Sequence, residues 1–264
     1  MQDTIDVPGL EALRAQFPPP QILDVRRAET VAAHPVLIPD ALVRDHHGVL
    51  DWVTLLESWR PIVVYCAEGH QRGCDAAATL RACGHRARTL AGGLAAWEAA
   101  GKPTVPYRAP TRWVTRERPK IDRIACPWLV RRFIDPAAEF HYVPASEVRA
   151  VASAQGATPY DVADAEYGHV GALCSFDAFI ARHGLSDPAL GLLATIVRGA
   201  DTAALHLAPE APGLLALSQG LSRLIADDHA MLHAGMQMYD ALYLWCRARV
   251  ESGAWNPAPL PAAA

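Results

Sequence analysis

The chain has 264 residues, 51% of them apolar, a length and composition that suit one large domain or two ordinary ones with substantial cores. Its formal net charge of −4 disfavours wholesale nucleic-acid binding, although one segment is locally basic. Residues 1–10 have neither a basic start nor an apolar run, so we expect no signal peptide, no membrane span and a cytoplasmic location.

The cysteines are scattered along the chain without short-spaced pairs. They are Cys66, Cys74, Cys83, Cys126, Cys174 and Cys246. This distribution argues against a disulfide framework and against a zinc ribbon. We therefore expect reduced thiols.

Predicted strands and helices alternate in the N-terminal part of the chain. The patterns predict a helix over residues 9–17, strands over 21–25, 35–42 and 61–65, and a helix over 50–59, with an irregular stretch after residue 26. They then predict a helix over 75–83, a strand over 86–90 and a last helix that opens at residues 91–97. This alternation indicates a parallel sheet covered on both faces, which binds ligands at the carboxyl ends of its strands.

Cys66 lies where a predicted strand ends, six positions before Arg72. The connection between the two residues is too long for a tight turn, so we expect its backbone to curl around the thiol with several N–H groups pointing inward. Those amides, the positive end of the next helix and Arg72 would favour a thiolate and hold an anion beside it. We therefore predict catalytic roles for Cys66 and Arg72. The predicted ligand-binding loop comprises Ala67, Glu68, Gly69, His70 and Gln71.

An ordinary core cysteine is the alternative interpretation of Cys66, since free cysteines are usually buried. A core residue, however, does not need the polar, glycine-flanked run at residues 69–73 after it. The pattern favours a reactive thiol.

Three motifs in residues 1 to about 106 carry a family resemblance. They are Asp24-Val25-Arg26, Cys66 at its strand end, and Leu-Ala-Gly-Gly-Leu-Ala-Ala-Trp at 90–97. Together they resemble a single rhodanese domain. The resemblance implies that the Cys66 thiolate attacks a sulfane sulfur, that the loop amides stabilise the persulfide, and that an acceptor nucleophile then takes the sulfur. Asp24 and Arg26 would brace the fold.

The loop is longer than that of common sulfurtransferases. Cys66 to Arg72 counts seven residues, one more than usual in that family. A Cys-x5-Arg loop resembles those of cell-cycle phosphatases and arsenate reductases, whose wider cradle accepts a tetrahedral oxyanion held by the arginine. Glu68 and His70 are candidate general acids for such chemistry, and either can equally be a solvated loop side chain. Cys74 is a candidate to resolve an oxidised Cys66, with a plain helix position as the alternative.

A proline-rich connector follows the rhodanese pattern, with Pro103, Pro106 and Pro110 close together. We place the domain boundary there, giving a rhodanese-like domain over 1–108 and a second domain over 109–264. In the second domain the patterns predict a strand over 112–115, a helix over 122–134 and strands over 139–143 and 158–162. Helices follow at about 188–200, 210–226 and 227–250, so we expect an α/β unit with a mostly helical C-terminal half.

Basic side chains concentrate in and beside the first strand-to-helix junction of this second domain. They are Arg112, Arg116, Arg118, Lys120, Arg123, Arg131 and Arg132. A strand-to-helix junction is an anion site by geometry, and Lys120 and Arg123 are its predicted ligands because they flank the turn. The alternative is a solvated basic face.

Side chains of metal-ligand types come from loop and helix ends that converge in an α/β unit. They are Asp122, Asp161, Glu166, His169, Asp228 and His229, with Asp201 as a further candidate. So many carboxylates could not share a buried site without a cation or neighbouring basic groups. We favour a divalent metal held by His169 with Glu166, and an ion-pair network for Asp122 with Arg123. The alternative for His169 is a hydrogen bond to a carboxylate within a turn.

Two further residues lie beside these candidate ligands. Cys174 adds a third ligand type, and Ser175 is the predicted N-cap of the next helix. This divalent metal is the one cofactor that the sequence suggests.

Long stretches of the second domain carry another resemblance. They are PKIDRIACPWLVRRFID at 119–135, CSFD at 174–177, IVRGAD at 196–201, and ADDH at 226–229 through YDALY at 239–243. These stretches resemble the C-terminal domain of the ChrB-type chromate-resistance family, in which fusion to a rhodanese is a known arrangement. The resemblance implies a link to chromate stress, by sensing, binding or reducing the oxyanion.

Two functional hypotheses follow. The first is a cytoplasmic enzyme, either a thiosulfate-type sulfurtransferase or a thiol-dependent enzyme acting on oxyanions, with Cys66 as the reactive group. The second is a binding module, in which the C-terminal domain senses or sequesters an oxyanion or metal and the rhodanese-like domain delivers sulfur or a redox signal. DNA-binding regulation is disfavoured because no helix-turn-helix precedes the domain. The expected partner is a small-molecule sulfur donor or oxyanion and not a membrane, and formation of a homo-oligomer stays open.

Overall fold

A computed structural model describes residues 3–253 of the chain. The chain forms two compact units that meet in sequence between Ala109 and Pro110. Strands and helices occur in both units, so the predicted α/β class is confirmed. Over the described range, none of the helices is both long enough and apolar enough to cross a membrane.

The first unit is a parallel sheet with helices on both faces. Its strands in the described range are β1 (Thr4–Ile5), β2 (Gln21–Asp24), β3 (Val36–Leu37), β4 (Ala41–Val43), β5 (Ile62–Tyr65), β6 (Ala87–Leu90) and β7 (Val105–Pro106). Its helices are α1 (Val7–Arg14), α2 (Ala28–Ala33), α3 (Val49–Trp52), α4 (Gln71–Ala82) and α5 (Gly93–Ala99). Five strands pair in parallel in the order β1-β6-β5-β2-β4, and β3 pairs with β7 antiparallel.

The sheet of the first unit has an apolar core on each side. Trp52 and Leu80 belong to one core, and Leu10 and Trp97 belong to the other. Strands β2 and β5 are buried along their whole length because side chains of both faces enter these cores. Their carboxyl ends therefore lie at one edge of a rigid sheet, and Cys66 follows directly after β5.

Four local predictions for the first unit differ from the structure. The helix predicted over 50–59 is α3, which ends at Trp52, followed by a 3-10 turn over Val53–Leu55. The strand predicted over 35–42 is two strands, separated at a turn where Asp40 has a φ of 69°. The irregular stretch after residue 26 contains α2. Helix α4 begins at Gln71 rather than at residue 75, because the glycine that weakens its helix propensity, Gly73, packs against Cys66 and Thr89 where a side chain has little room.

The second unit opens with a βαβ arrangement, as predicted. Its strands in the described range are β8 (Arg112–Arg116), β9 (Glu139–Val143) and β10 (Thr158–Pro159), which pair in parallel in the order β10-β8-β9. Its helices are α6 (Asp122–Phe133), α7 (Val148–Gln155), α8 (Ser175–Arg182), α9 (Pro188–Asp201), α10 (Ala211–Leu224) and α11 (Asp228–Glu251). Helix α7 was not predicted, and the strand predicted over 158–162 has two residues.

Helix α6 is anchored to α11 by a buried polar contact. The Trp128 Nε1–H donates to Asp240 Oδ1 at 2.9 Å, and the Arg132 guanidinium pairs with the same carboxylate at 2.8 Å. Where the two helices cross, a side chain on Gly235 would place its Cβ 2.3 Å from Ile124 Cγ2, so the close approach requires glycine there. These contacts fix the direction of α6 and therefore the place of its first residue.

A proline inside α6 is accommodated by two tyrosines. Pro127 has no N–H to donate to the carbonyl of Arg123, four residues earlier. The hydroxyl groups of Tyr142 and Tyr160 donate to that carbonyl instead, at 3.1 and 3.3 Å. The helix therefore continues through the proline without a buried, unpaired carbonyl.

Candidate functional sites

The Cys66 thiol lies at the carboxyl end of a central strand. Its Sγ is 3.7 Å from the His70 carbonyl oxygen, and 4% of the residue is exposed. The next four residues, 67–70, are half-buried or exposed, so solvent reaches the loop that surrounds the sulfur. Cys66 is thus held in a fixed position beside a loop that solvent can reach.

The Gly92-Gly93 turn fixes the outer side of this loop. The N–H groups of Leu94 and Ala95 donate to the carbonyls of Cys66 and Ala67, both at 2.9 Å. Gly93 has a φ of 58°, and a Cβ there would lie 2.3 Å from the Cys66 carbonyl oxygen. Only glycine permits this approach.

The loop amides remain available for a ligand. Within residues 3–253 the N–H groups of residues 67–70 have no hydrogen-bond acceptor, although the Cys66 and Ala67 carbonyls are paired. Adjacent free N–H groups in a curled loop form a concave site for an anion. We call residues 66–72 the Cys66 loop.

The start of α4 adds positive charge to the Cys66 loop. A Cβ on Gly73 would lie 3.6 Å from the Cys66 Sγ, which shows how closely the first turn of the helix passes the sulfur. Arg72 lies in that turn, is half-buried, and makes no hydrogen bond or ion pair with any residue of the described range. A helix N-terminus and an unpaired arginine both stabilise an anion at the thiol.

Glu68 and His70 lie on the solvent side of the loop. The Glu68 Oε2 and the His70 Nδ1 are 3.4 Å apart, and both side chains are mostly exposed. They pair with each other as solvated side chains. His46 was not among the predicted site residues; burial first, and then the charges of His47 and Arg72, lower its pKa, so it is neutral near pH 7.

Asp24 and Arg26 form a buried brace beside the loop. Arg26 Nη2 lies 2.7 Å from Asp24 Oδ2, and both side chains are almost fully buried. The same guanidinium donates to the carbonyls of His34 and Val36 at 3.1 and 2.7 Å. The pair therefore ties the end of β2 to the chain entering β3.

A second cluster of polar side chains lies in the C-terminal unit. His169 Nε2 is 3.6 Å from Asp122 Oδ2, 3.4 Å from Asp161 Oδ1 and 3.1 Å from Asp201 Oδ2. Asp122 is the first residue of α6, Asp161 follows β10, His169 precedes α8, and Asp201 ends α9. We call these four residues the Asp122 cluster.

Asp122 is fully buried in this cluster. Its Oδ2 accepts hydrogen bonds from the N–H groups of Ser175 and Phe176 at the start of α8, at 2.6 and 3.4 Å. Its Oδ1 is also buried and has no hydrogen-bond partner in the part of the chain that the structure describes. Burial raises the pKa of Asp122, whereas the neighbouring carboxylates of Asp122, Asp161 and Asp201 raise the pKa of His169.

Asp161 is the carboxylate of the cluster that already has several partners. Ser175 Oγ donates to its Oδ1 at 2.9 Å, and Arg116 and Arg123 lie 3.2 and 3.4 Å from its Oδ2. Burial opposes ionisation, but the hydrogen bonds from His169 and Ser175 and the two arginines together lower the pKa of Asp161. Asp161 therefore stays ionised, and its Oδ2 lies beside Arg116 and Arg123.

Strained backbone precedes the buried carboxylate. Ile121 has a φ of 34°, an unfavourable value for a β-branched residue, and Tyr239 and Ser218 hold it there. The Ile121 N–H donates to Ser218 Oγ at 3.1 Å, and its carbonyl accepts from the Tyr239 hydroxyl at 3.1 Å. These bonds orient the residue that begins α6.

Comparison with known proteins assigns both units. The family pattern described as the ChrB C-terminal domain matches residues 113–246, just over half of the chain. The chain belongs to the ChrB C-terminal domain family. A rhodanese-like domain pattern matches residues 10–100.

Individual relatives cover parts of the chain. Protein ChrB of Cupriavidus metallidurans is 34% identical over 145 residues, which are 53% of this chain and 43% of that protein. The match thus spans less than half of the relative's length. A rhodanese-like domain protein from Staphylococcus aureus is 26% identical, with a TM-score of 0.36, and covers 41% of this chain and 100% of its own. A rhodanese-related protein from Thermoplasma volcanium is 24% identical, with a TM-score of 0.34, and covers 39% of this chain and 96% of its own.

The ChrB domain brings together only part of the predicted metal set. Asp122, Asp161 and His169 meet, with Asp201, but the Glu166 carboxylate pairs with Arg182 at 2.6 Å instead. The prediction that Glu166 and His169 are joint metal ligands is therefore wrong, because the salt bridge to Arg182 holds the Glu166 carboxylate at the surface.

Two other predicted ligands also lie in different contacts. Asp228 accepts the Arg118 N–H at 3.1 Å, and the His229 ring packs edge-on against Tyr142. The predicted ion-pair network forms with a different partner, since Arg123 pairs with Asp161 rather than with Asp122. Lys120 is exposed and makes no ion pair within the described range.

The start of helix α8 in the ChrB domain differs from its prediction. Cys174, not Ser175, is the N-cap, with Asp177 completing a capping box. Ser175 takes the first helical position, from which its hydroxyl reaches Asp161. Burial raises the pKa of the Cys174 thiol, so Cys174 stays neutral and does not act as a thiolate ligand.

Proposed function

We propose that the chain is a rhodanese-type sulfurtransferase of the cytoplasm, with Cys66 as the sulfur carrier, that acts in the response to chromate or a similar oxyanion. The observation that supports the proposal most strongly is the Cys66 loop: a fixed thiol at a strand end, together with loop N–H groups and an Arg72 side chain that have no partner among residues 3–253. This combination stabilises negative charge on and beside the sulfur.

The reaction proceeds in two displacements. The Cys66 thiolate attacks the outer sulfur of thiosulfate, the sulfur–sulfur bond of thiosulfate breaks, and sulfite leaves with the bonding electron pair. The free amides of residues 67–70 bind the resulting persulfide, and Arg72 faces the departing anion. A nucleophile such as cyanide then attacks the terminal sulfur, forms thiocyanate and regenerates the Cys66 thiolate.

Two features support the link to an oxyanion. The C-terminal unit belongs to the ChrB C-terminal domain family. Arg72, in the first turn of α4, offers a planar guanidinium that matches two oxygens of a tetrahedral anion. The longer loop expected from the sequence does not add to this support, because α4 begins at Gln71 and the count from Cys66 to the helix is six.

The test is persulfide formation on the full-length protein. After incubation with thiosulfate, intact-mass analysis should show one added sulfur atom, and peptide mapping should place it on Cys66. Cys66→Ser should abolish both the added sulfur and thiocyanate production from cyanide. Cys83→Ser is the matched control, because Cys83 is exposed and lies outside the loop.

Two results would contradict the assignment. One is thiocyanate production by the Cys66→Ser protein at the wild-type rate. The other is a persulfide that maps to Cys83 or another cysteine while Cys66 stays unmodified.

A second candidate function is oxyanion binding or reduction in the same loop. It is favoured by the one observation that Arg72 has no partner among the described residues. If this hypothesis is correct, tetrahedral anions bind directly in the Cys66 loop and compete with thiosulfate.

A further inference from the structure

We infer that Asp122, His169 and Asp201 form a binding site for one divalent transition-metal ion. One candidate ligand atom from each residue lies within 4.8 Å of the others. Oxygen and nitrogen ligands about 2.1 Å from a single ion are separated by up to about 4.2 Å, so small side-chain rotations bring the three atoms onto one ion. This site lies outside the Cys66 loop and does not depend on the proposed sulfur transfer.

A buried, unpaired oxygen gives independent support. Asp122 Oδ1 is inaccessible to solvent and has no hydrogen-bond partner among the described residues, while Oδ2 of the same carboxylate accepts hydrogen bonds from Ser175 and Phe176. Leaving a buried carboxylate oxygen unpaired is costly, since charged acceptors lose most by desolvation. The Asp122 side chain points into the cluster, since its Oδ2 lies 3.6 Å from His169 Nε2, and a cation bound there would be the missing partner of the carboxylate.

The histidine cannot satisfy the carboxylates alone. His169 Nε2 lies within 3.6 Å of oxygens from Asp122, Asp161 and Asp201, yet one ring N–H points at one acceptor at a time. A metal ion accepts several ligands at once. Coordination by a neutral His169 would therefore replace one hydrogen bond with several metal–ligand bonds.

Asp161 has a supporting role around the ion. Both of its oxygens already have partners, Ser175 on one side and Arg116 with Arg123 on the other. It therefore orients the site electrostatically, as carboxylates beside metal ligands commonly do. The arginines also leave positive charge next to the ion, where an anionic ligand of the metal would bind.

The ligand types define the class of metal. One imidazole and two carboxylates suit Mn²⁺, Fe²⁺ or Zn²⁺ better than a thiophilic ion. His169 is 42% exposed and Asp201 19%, so an ion can enter from solvent and keep open positions for water or a ligand. Three protein ligands with open positions are typical of reactive rather than purely structural sites.

The experiment measures Mn²⁺ and Zn²⁺ binding to the full-length protein after chelator treatment and buffer exchange. Titration calorimetry, with electron paramagnetic resonance for Mn²⁺, should show one ion per chain, and metal should raise the melting temperature. Asp122→Asn, His169→Gln and Asp201→Asn should each weaken Mn²⁺ binding at least tenfold. Asp201→Asn is the most informative, because Asp201 is only half-buried and the variant keeps the core intact.

Two controls separate this site from other metal-binding groups. Glu166→Gln removes a nearby surface carboxylate that pairs with Arg182 and should leave Mn²⁺ affinity unchanged. Cys66→Ser should also leave it unchanged, so failure of sulfur transfer and failure of metal binding are distinguishable. The inference is overturned if wild-type protein binds no ion, or if folded Asp201→Asn and His169→Gln proteins bind Mn²⁺ as tightly as the wild type.

Discussion

The Cys66 loop and the Asp122 cluster are built in opposite ways. The loop uses main-chain groups from two short segments, residues 66–72 and 92–95, and its shape depends on a glycine turn. The cluster uses side chains from four segments between Asp122 and Asp201, and its place depends on helix packing. The loop should therefore be most sensitive to added atoms, and the cluster to lost hydrogen bonds.

The largest effect is expected from Gly93→Ala. The added Cβ would lie 2.3 Å from the Cys66 carbonyl oxygen and 2.6 Å from the Gly69 nitrogen, at a φ of 58°. Because both neighbours are backbone atoms, the loop must move, and we expect the first unit to lose about 3 kcal/mol or more of its free energy of unfolding. Native-state hydrogen exchange on first-unit peptides measures this loss separately from the second unit.

The control for this prediction is Gly84→Ala. Gly84 also has a positive φ, 88°, but no atom of residues 3–253 lies within 4 Å of the added Cβ. It should cost about 1 kcal/mol through backbone conformation alone. Equal losses for the two variants would show that the contact between Gly93 and the loop does not determine stability.

An intermediate effect is expected from Tyr239→Phe in the second unit. The change removes the hydroxyl that donates to the Ile121 carbonyl, which keeps its bond from the Ala125 N–H at 2.7 Å, so we expect a cost of about 1.5 kcal/mol, the value of one buried hydrogen bond. Hydrogen exchange on α6 peptides measures the loss. In the matched variant Tyr142→Phe the Arg123 carbonyl also keeps a bond, from Tyr160, and Arg123 has no positive φ to be held in place, so the loss should be smaller. A larger loss for Tyr142→Phe than for Tyr239→Phe would contradict the conclusion that Tyr239 holds Ile121 in its strained conformation.

The smallest effect concerns binding in the Cys66 loop. Sulfate, phosphate, arsenate and chromate should compete with thiosulfate, and Arg72→Ala should weaken that competition about tenfold, equivalent to about 1.4 kcal/mol. Inhibition constants from initial rates measure the change. Arg81→Ala is the control on the same helix, since Arg81 already pairs with Asp3 and the Ala87 carbonyl. If all four anions inhibited the Arg72→Ala protein as strongly as the wild type, Arg72 would not be a ligand of an oxyanion in the Cys66 loop.

Much of the fold of the first unit could be predicted because the signals for its elements lie in short segments of the sequence. The buried run of β5, the residues after Cys66 and the glycine pair before α5 each lie within a few positions. Boundaries were less predictable. The predicted start of α4 is four residues late, because Gly73 lowers the helix propensity of this stretch. A small residue is required there by packing against Cys66, which the local sequence does not show.

Periodicity and local motifs are enough to predict the two α/β units, the strand-end position of Cys66 and the types of side chain available to a metal. Only the packed fold shows that His169 meets Asp122 and Asp201 while Glu166 pairs with Arg182. Those residues are separated by many positions, and several carboxylates were equally plausible partners. Which ones meet depends on how α6, α8 and α9 pack, a non-local outcome of burying their apolar faces.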